Sequence, residues 1–243
     1  MRRALLIAAA LLSGACQADP LATRLGPAPV VVELFTSQGC SSCPPADKLV
    51  SDLAHDATLR GRVIPLTFHV DYWDRLGWRD PYSSADWSRR QYLYARALRV
   101  SSAYTPQMVV GGARQFVGSN SAALDEALVA LSHRKPMGDV QLTAKRQGAK
   151  VTVEVHAKGT GDVMLALIDN STPTPVRDGE NAGRTIPNDA TVRRLLRIGS
   201  VTGNVFVRTV TLDIDPAWHD LGVAAFLQDG ETMAIGAAAS AGL

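Results

Sequence analysis

Cysteine is scarce in this 243-residue chain, which has only Cys16, Cys40 and Cys43. With one C-x-x-C pair and no second, a structural zinc site lacks ligands, since such a site takes four, usually from another cysteine pair or a histidine pair. The five histidines, His55, His69, His133, His156 and His219, are scattered without ligand spacing. An excess of one charge is missing too: 25 Lys and Arg against 23 Asp and Glu leave a net +2, with no basic stripe of the kind nucleic-acid binding requires. There are no repeats, no low-complexity segment and no second long apolar run. What remains is ordinary for a globular chain, 46% hydrophobic and 20% charged, at a length that suits one or two domains.

The amino terminus reads as a leader. Arg2-Arg3 is followed by an apolar run from Ala4 to Leu12 and by small residues through Ala18, the layout of a secretory signal peptide over residues 1–18. The apolar run is too short to span a bilayer. Cleavage after Ala15 or Ala18 is compatible with it, and the second choice discards Cys16. Leu12-Ser13-Gly14-Ala15-Cys16 resembles a lipobox but sets Leu12 one residue too far from the cysteine. Soluble export, to the periplasm or beyond, is therefore preferred, with membrane attachment only if Cys16 is lipidated. Outside the cytosol disulfides persist, and a single C-x-x-C there has little use except redox or metal work.

Cys40-Ser41-Ser42-Cys43 lies between the apolar run Val30 to Phe35 and a helix start at Pro44-Pro45. Cysteines three apart on a first helical turn have Cα atoms roughly 5–6 Å apart, within disulfide range. The helix N-terminus stabilises a thiolate on the leading cysteine, so Cys40 is assigned as the exposed nucleophile and Cys43 as the resolving thiol. The other readings of the pair are a metal site or a structural disulfide, although a four-residue ring removes little unfolded-state entropy. Glu33 lies in the strand leading to Cys40, on the face of Val31 and Phe35. A buried carboxylate under the dithiol would have a raised pKa and could exchange a proton with Cys43; a structural hydrogen-bonding role is the other reading.

The pattern along the chain predicts strands at Val30–Thr36 and Val63–Val70 around a helix from Pro45 to about His55, a βαβ unit with a parallel pair. A second helix is expected over Ala85–Leu98 with Ser83 or Ser84 as cap. Short strands Gln107–Val110 and Gln115–Val117 follow, turning at Gly111-Gly112, then a third helix near Ser121–Ser132. After Pro136 the texture becomes alternating: Val140–Ala144, Val151–His156, Val163–Ile168, Val205–Leu212, Leu221–Leu227 and Thr232–Ile235 read as short strands of a β-sandwich. A long polar loop between Asn170 and Val192 is expected to cover the dithiol, to grip a partner, or to be a solvated crossover.

The order β-α-β-α-β-β-α with C-x-x-C after the first strand resembles a thioredoxin-like fold. Several longer blocks are similar to the DUF1223 family of secreted thioredoxin-like proteins: Val32 through Asp47, His69-Val70-Asp71-Tyr72-Trp73-Asp74, Tyr104-Thr105-Pro106-Gln107-Met108 and Gly179 through Thr185. The resemblance implies a cis bond at Thr105-Pro106 beside the dithiol, with Thr105 offering backbone hydrogen bonds to an extended substrate and Pro106 shaping its groove. Glu33 resembles the buried acid of thioredoxins, offset by one residue. The family name carries no assigned reaction.

The expectation is an α/β thioredoxin-like domain (29–135) followed by an all-β sandwich-like domain (139–240). The function expected is thiol–disulfide exchange by Cys40 and Cys43 with exported protein thiols or disulfides and a further redox partner, without cofactor. Trp73, Trp78 and Trp87 are candidate substrate surface, with packing against the second domain as the other reading. His69, Asp71 and Asp74 cluster at the carboxyl edge of the second strand, where ligand sites gather. Two other readings stay open: a copper or zinc protein holding metal through Cys40, Cys43 and His69, and a non-catalytic binding protein on the same scaffold.

Overall fold

The computed structural model describes residues 19–243; the leader read over residues 1–18 lies outside the described residues. After a one-turn helix α1 (Leu21–Arg24), strand β1 (Val30–Thr36) is buried at every position, as expected of a central strand covered on both faces. It runs parallel to β2 (Val63–His69), with Val30 opposite Val63 and Thr36 opposite His69. Helix α2 (Pro44–His55) makes the crossover and turns Ala46, Val50 and Leu53 inward. Its two leading prolines occupy first-turn positions, whose N–H groups have no intrahelical partner to lose.

Helix α3 (Ala85–Ala97) starts at Ser84, whose hydroxyl accepts from the Asp86 N–H. On the other edge of β1 lies antiparallel β3 (Gln107–Val110), paired in turn with β4 (Arg114–Val117) across Gly111-Gly112, both at positive φ. Helix α4 (Ser121–Ser132) follows, capped by Asn120. The predicted βαβ unit is present, and these elements fall within a residue or so of the expected bounds.

The second half departs from expectation. Its strands are β5 (Gly138–Gln147), β6 (Lys150–Asp169), the short hairpin β7 (Thr174–Pro175) and β8 (Thr185–Ile186), β9 (Thr191–Asp213), β10 (Leu221–Gln228) and β11 (Ile235–Gly242). They do not form a separate sandwich. Thr67 in β2 pairs in parallel with Thr191 in β9, its N–H bonding to the Ala190 carbonyl at 2.7 Å and its hydroxyl to the Asp189 carbonyl at 2.8 Å. One mixed sheet of nine strands results, in the order β11-β10-β6-β9-β2-β1-β3-β4 with β5 on β6. The expected thioredoxin-like α/β domain plus separate β-sandwich is therefore overturned: the chain is a mixed α/β protein on one large sheet, with only four α-helices among the described residues.

Strand length is the physical cause. β6 runs for 20 residues and β9 for 23, several times the usual five or six, so both reach from the far strands into the α/β half. The sequence reading divided β6 near Gly159 and Gly161. Their φ values of 141° and 138° accommodate a bulge where the register against β9 shifts, which bends the strand without ending its pairing. Burial is continuous across the junction: Val31, Phe35 and Phe68 share one apolar cluster with Ala166, Ile168, Val192, Ala224 and Phe226. No described helix is long and apolar enough to cross a membrane.

Candidate functional site

The dithiol follows directly from β1. Gly39 leads into Cys40, and a side chain there would meet Trp73 Cβ at 3.4 Å. Cys43 is the N-cap of α2. Cys40 and Cys43 form a disulfide with a Cα–Cα distance of 5.4 Å. The Ser42 hydroxyl stands 3.4 Å from the Cys40 sulfur, beside the partial positive charge of the helix N-terminus.

Cys40 was expected to be the exposed thiol, but the fold buries both cysteines completely. The cover comes from the segment read as a polar loop. Between β7 and β8 it turns at Gly179 and Gly183, at φ 75° and 81°, and reaches back over the start of α2. Asn181, 1% exposed, donates from Nδ2 to the carbonyls of both Gln38 and Cys40 at 2.9 Å. Glu180 accepts the Ser41 N–H at 3.0 Å, and the Ser41 hydroxyl together with that N–H holds its carboxyl below the usual range. At the base of this strap the Gln38 side chain donates to Asn188 and accepts from the Trp78 indole. Of the outcomes considered for this loop, it covers the dithiol.

Strand alternation separates Glu33 from the chemistry. Leu34 and Thr36 face α2: a side chain at Gly118 would meet Leu34, Ala46 and Pro106 at once, and the Thr36 hydroxyl bonds to Asp47 at 2.7 Å. Glu33 and Phe35 therefore face α3. There Glu33, wholly buried, pairs with Arg90 Nε at 2.7 Å and accepts from the Tyr94 hydroxyl. Arg90 also reaches Gln228 in β10 and lies over the Phe68 and Tyr94 rings. Burial lowers the Arg90 pKa, but the neighbouring Glu33 carboxylate outweighs it and raises the value. This geometry fits the structural hydrogen-bonding reading of Glu33. The single-residue offset from the thioredoxin acid moves the carboxylate to the opposite face of the sheet.

The acid on the dithiol's own face is Asp47, which the sequence reading passed over. It stands four residues after Cys43, its N–H on the Cys43 carbonyl, so its side chain falls on the same helix face. As a residue it is partly exposed on α2, but its carboxyl points inward onto Thr36. Burial pushes its pKa up to about 7, against the lowering effect of the Thr36 hydroxyl and of His69. The i, i+4 spacing from Cys43 was the available signal.

His69 is 2% exposed and bonds through Nδ1 to Asp80 at 2.7 Å, while Nε2 has no partner. Burial opposes protonation of His69, but the Asp80 charge and hydrogen bond prevail and raise its pKa. Burial works against Asp80 ionising as well, yet the facing His69 and the N–H groups of Gln38 and Tyr82 lower its pKa. Cys40, Cys43 and His69 are not assembled as donors, and among the described residues no three His, Cys, Asp or Glu side chains stand at metal-binding spacing. Asp71 and Asp74 are taken up locally, by Ser88 and by Ser83 with the Asp80 N–H.

The other expected residues are spread over the site and the core. The Thr105–Pro106 bond is cis. Thr105 is held by the Trp73 indole through its hydroxyl at 2.8 Å. Trp78 lies under the strap, and Trp87 packs edge-on against Phe68 in the core. A cavity of about 580 Å³ lies between α3 and β9 and is walled by Tyr82, Trp87, Arg193 and Trp218, without either cysteine. The reactive groups lie at the disulfide and not in this cavity.

The family described as "Protein of unknown function (DUF1223)" matches residues 31–228, so the chain belongs to that family. Protein AGR_C_4864 from Agrobacterium tumefaciens is 31% identical, over 87% of this chain and 92% of its own, with a TM-score of 0.70. HBP35 of Porphyromonas gingivalis, 17% identical over 90% of this chain and 76% of its own, has a TM-score of 0.68 and is a likeness of fold alone. No curated protein matches the chain.

Proposed function

We propose that this member of the DUF1223 family is an exported thiol–disulfide oxidoreductase acting on other exported proteins. One observation carries the reading: a Cys40–Cys43 disulfide at the start of α2 has, one helical turn on, an acid whose pKa is pushed up to about 7. A structural staple has no use for a neighbouring group that changes protonation at neutral pH, whereas exchange does.

A substrate thiolate attacks the Cys40 sulfur, the Cys40–Cys43 bond breaks, and its electron pair leaves on Cys43. Protonated Asp47 supplies the proton that quenches the Cys43 thiolate. In the reverse direction Asp47 takes that proton, and Cys43 attacks the mixed disulfide on Cys40. The Ser42 hydroxyl and the α2 N-terminus favour the thiolate form of Cys40. In this reading Trp73, which lies beside Gly39 and holds Thr105, forms the substrate side of the site with Thr105 and Pro106.

The test is trapping. Cys43→Ser leaves Cys40 unable to be resolved, so mixed disulfides with exported proteins should accumulate, and Cys40→Ser should accumulate none. Equal recovery from the two variants, or none from either, refutes the reading.

A further inference from the structure

The strap over the disulfide fills hydrogen-bonding groups of one particular kind. Asn181 Nδ2 occupies two backbone acceptors, the carbonyls of Gln38 and Cys40, and Glu180 occupies one backbone donor, the Ser41 N–H. Acceptor, acceptor and donor along one stretch of main chain are what an extended polypeptide pairs with. Covering them costs the chain little, since buried backbone groups need partners in any case. The cover is itself lightly held. Ala182, Gly183, Arg184 and Thr185 are exposed, and among residues 176–184 only Val176, at the strap's start, and Asn181 are buried. The Glu180 carboxylate lies in solvent, where a hydrogen bond contributes least. Gly183 has open space around it.

We infer that residues 176–184 are an internal stand-in for substrate, with Asn181 as its latch, and that the disulfide is reached by extended polypeptides which replace the strap's hydrogen bonds. The inference rests on the exchange reading and adds its substrate class and its selectivity. A thiol on an extended segment brings N–H groups for the Gln38 and Cys40 carbonyls and a carbonyl for Ser41, so displacing the strap leaves no backbone group unpaired. A small thiol brings none, and each of its attacks requires an opening that strands those groups. Asn181 is a positioning residue: it touches neither sulfur, and it decides which thiols arrive.

The experiment follows the first step on the oxidised full chain: one thiolate attacks Cys40, a new disulfide forms, and the Cys43 thiolate released is alkylated and counted by mass. The probes are 2-mercaptoethanol, which has no peptide group, an extended cysteine hexapeptide, and the same hexapeptide with proline on both sides of the cysteine, which lacks the flanking N–H groups. Per thiolate, on the unaltered protein the first hexapeptide should react roughly tenfold faster than 2-mercaptoethanol, as about one retained hydrogen bond allows, and the proline version should fall towards the 2-mercaptoethanol rate. Asn181→Ala should raise the 2-mercaptoethanol rate roughly tenfold and leave the hexapeptide rate nearly unchanged. Equal rates for the two hexapeptides on the unaltered protein overturn the proposal, and so does an unchanged 2-mercaptoethanol rate in a folded Asn181→Ala. The hexapeptide comparison needs no variant, so it stands even if Asn181→Ala does not fold. These rates are independent of trapping in cells: selectivity here without adducts there would fail the exchange reading and keep the strap.

Discussion

Arg90→Met should be among the most damaging substitutions in the chain while leaving the dithiol's chemistry intact. The side chains of Arg90 and Glu33 are 8% and 0% exposed, and all three guanidinium nitrogens are engaged, by Glu33, Gln228 and Tyr94. Methionine keeps most of the length of the aliphatic stem but not the guanidinium that lies over the Phe68 and Phe226 rings, so the loss is mainly electrostatic. It strands the Glu33 carboxylate in the core with the Tyr94 hydroxyl still pointing at it. Removing one partner of a buried pair costs about 3–5 kcal/mol, to which one or two lost neutral hydrogen bonds add about 1 kcal/mol each. Adding Glu33→Gln removes the stranded charge, and the double variant should recover at least half the loss, a coupling readable from a double-mutant cycle in urea. The alkylation rate of the reduced cysteines should be the same in all folded variants, because this pair lies on the opposite face of the sheet from α2. A loss below about 1 kcal/mol for Arg90→Met, or a shifted thiol reactivity in Glu33→Gln, would refute the reasoning.

Asp47 predicts a pH dependence of stability. Its pKa rises from 3.8 to about 7 on folding, so between those values the folded protein holds a proton that the unfolded chain has released. Its stability contribution is complete below pH 3.8 and lost as the pH climbs through about 7, amounting to at most about 4 kcal/mol. Asp47→Asn should remove this fall, so urea midpoints at pH 5 and pH 8 should lie closer together in the variant than in the unaltered protein. The same substitution should slow mixed-disulfide resolution by about 10–100-fold near neutral pH, as expected when a general acid–base group is lost; an unchanged rate excludes Asp47 from the proton transfer.

The α/β half of the fold was legible because its signals are local. The apolar run of β1, the prolines opening α2, Ser84 as a cap, and the Gly111-Gly112 turn each act within a few residues. The join between halves was not. It depends on Thr67 meeting Thr191 across more than a hundred residues, and on a glycine-bearing bulge that lets β6 continue where the alternation breaks. At the site, the dithiol and the Gly179–Thr185 block were visible as sequence and covering the dithiol was among the roles open to the loop, but Asn181 was not identifiable as its contact, because it acts through main-chain carbonyls that carry no sequence signal. Glu33 misled for a definable reason: in a strand one residue of offset changes the face. Asp47 was readable from its helical distance to Cys43.

The reduction potential of the Cys40–Cys43 couple, measured on the full chain by equilibration against glutathione or dithiothreitol buffers with alkylation to count free thiols, tests the central claim most directly. The account predicts a reversible two-electron couple above about −300 mV, in the range of pairs that exchange with cellular thiols. A disulfide that stays closed to potentials below about −300 mV, with unfolding required before either cysteine can be alkylated, would make the pair a structural staple and contradict the account.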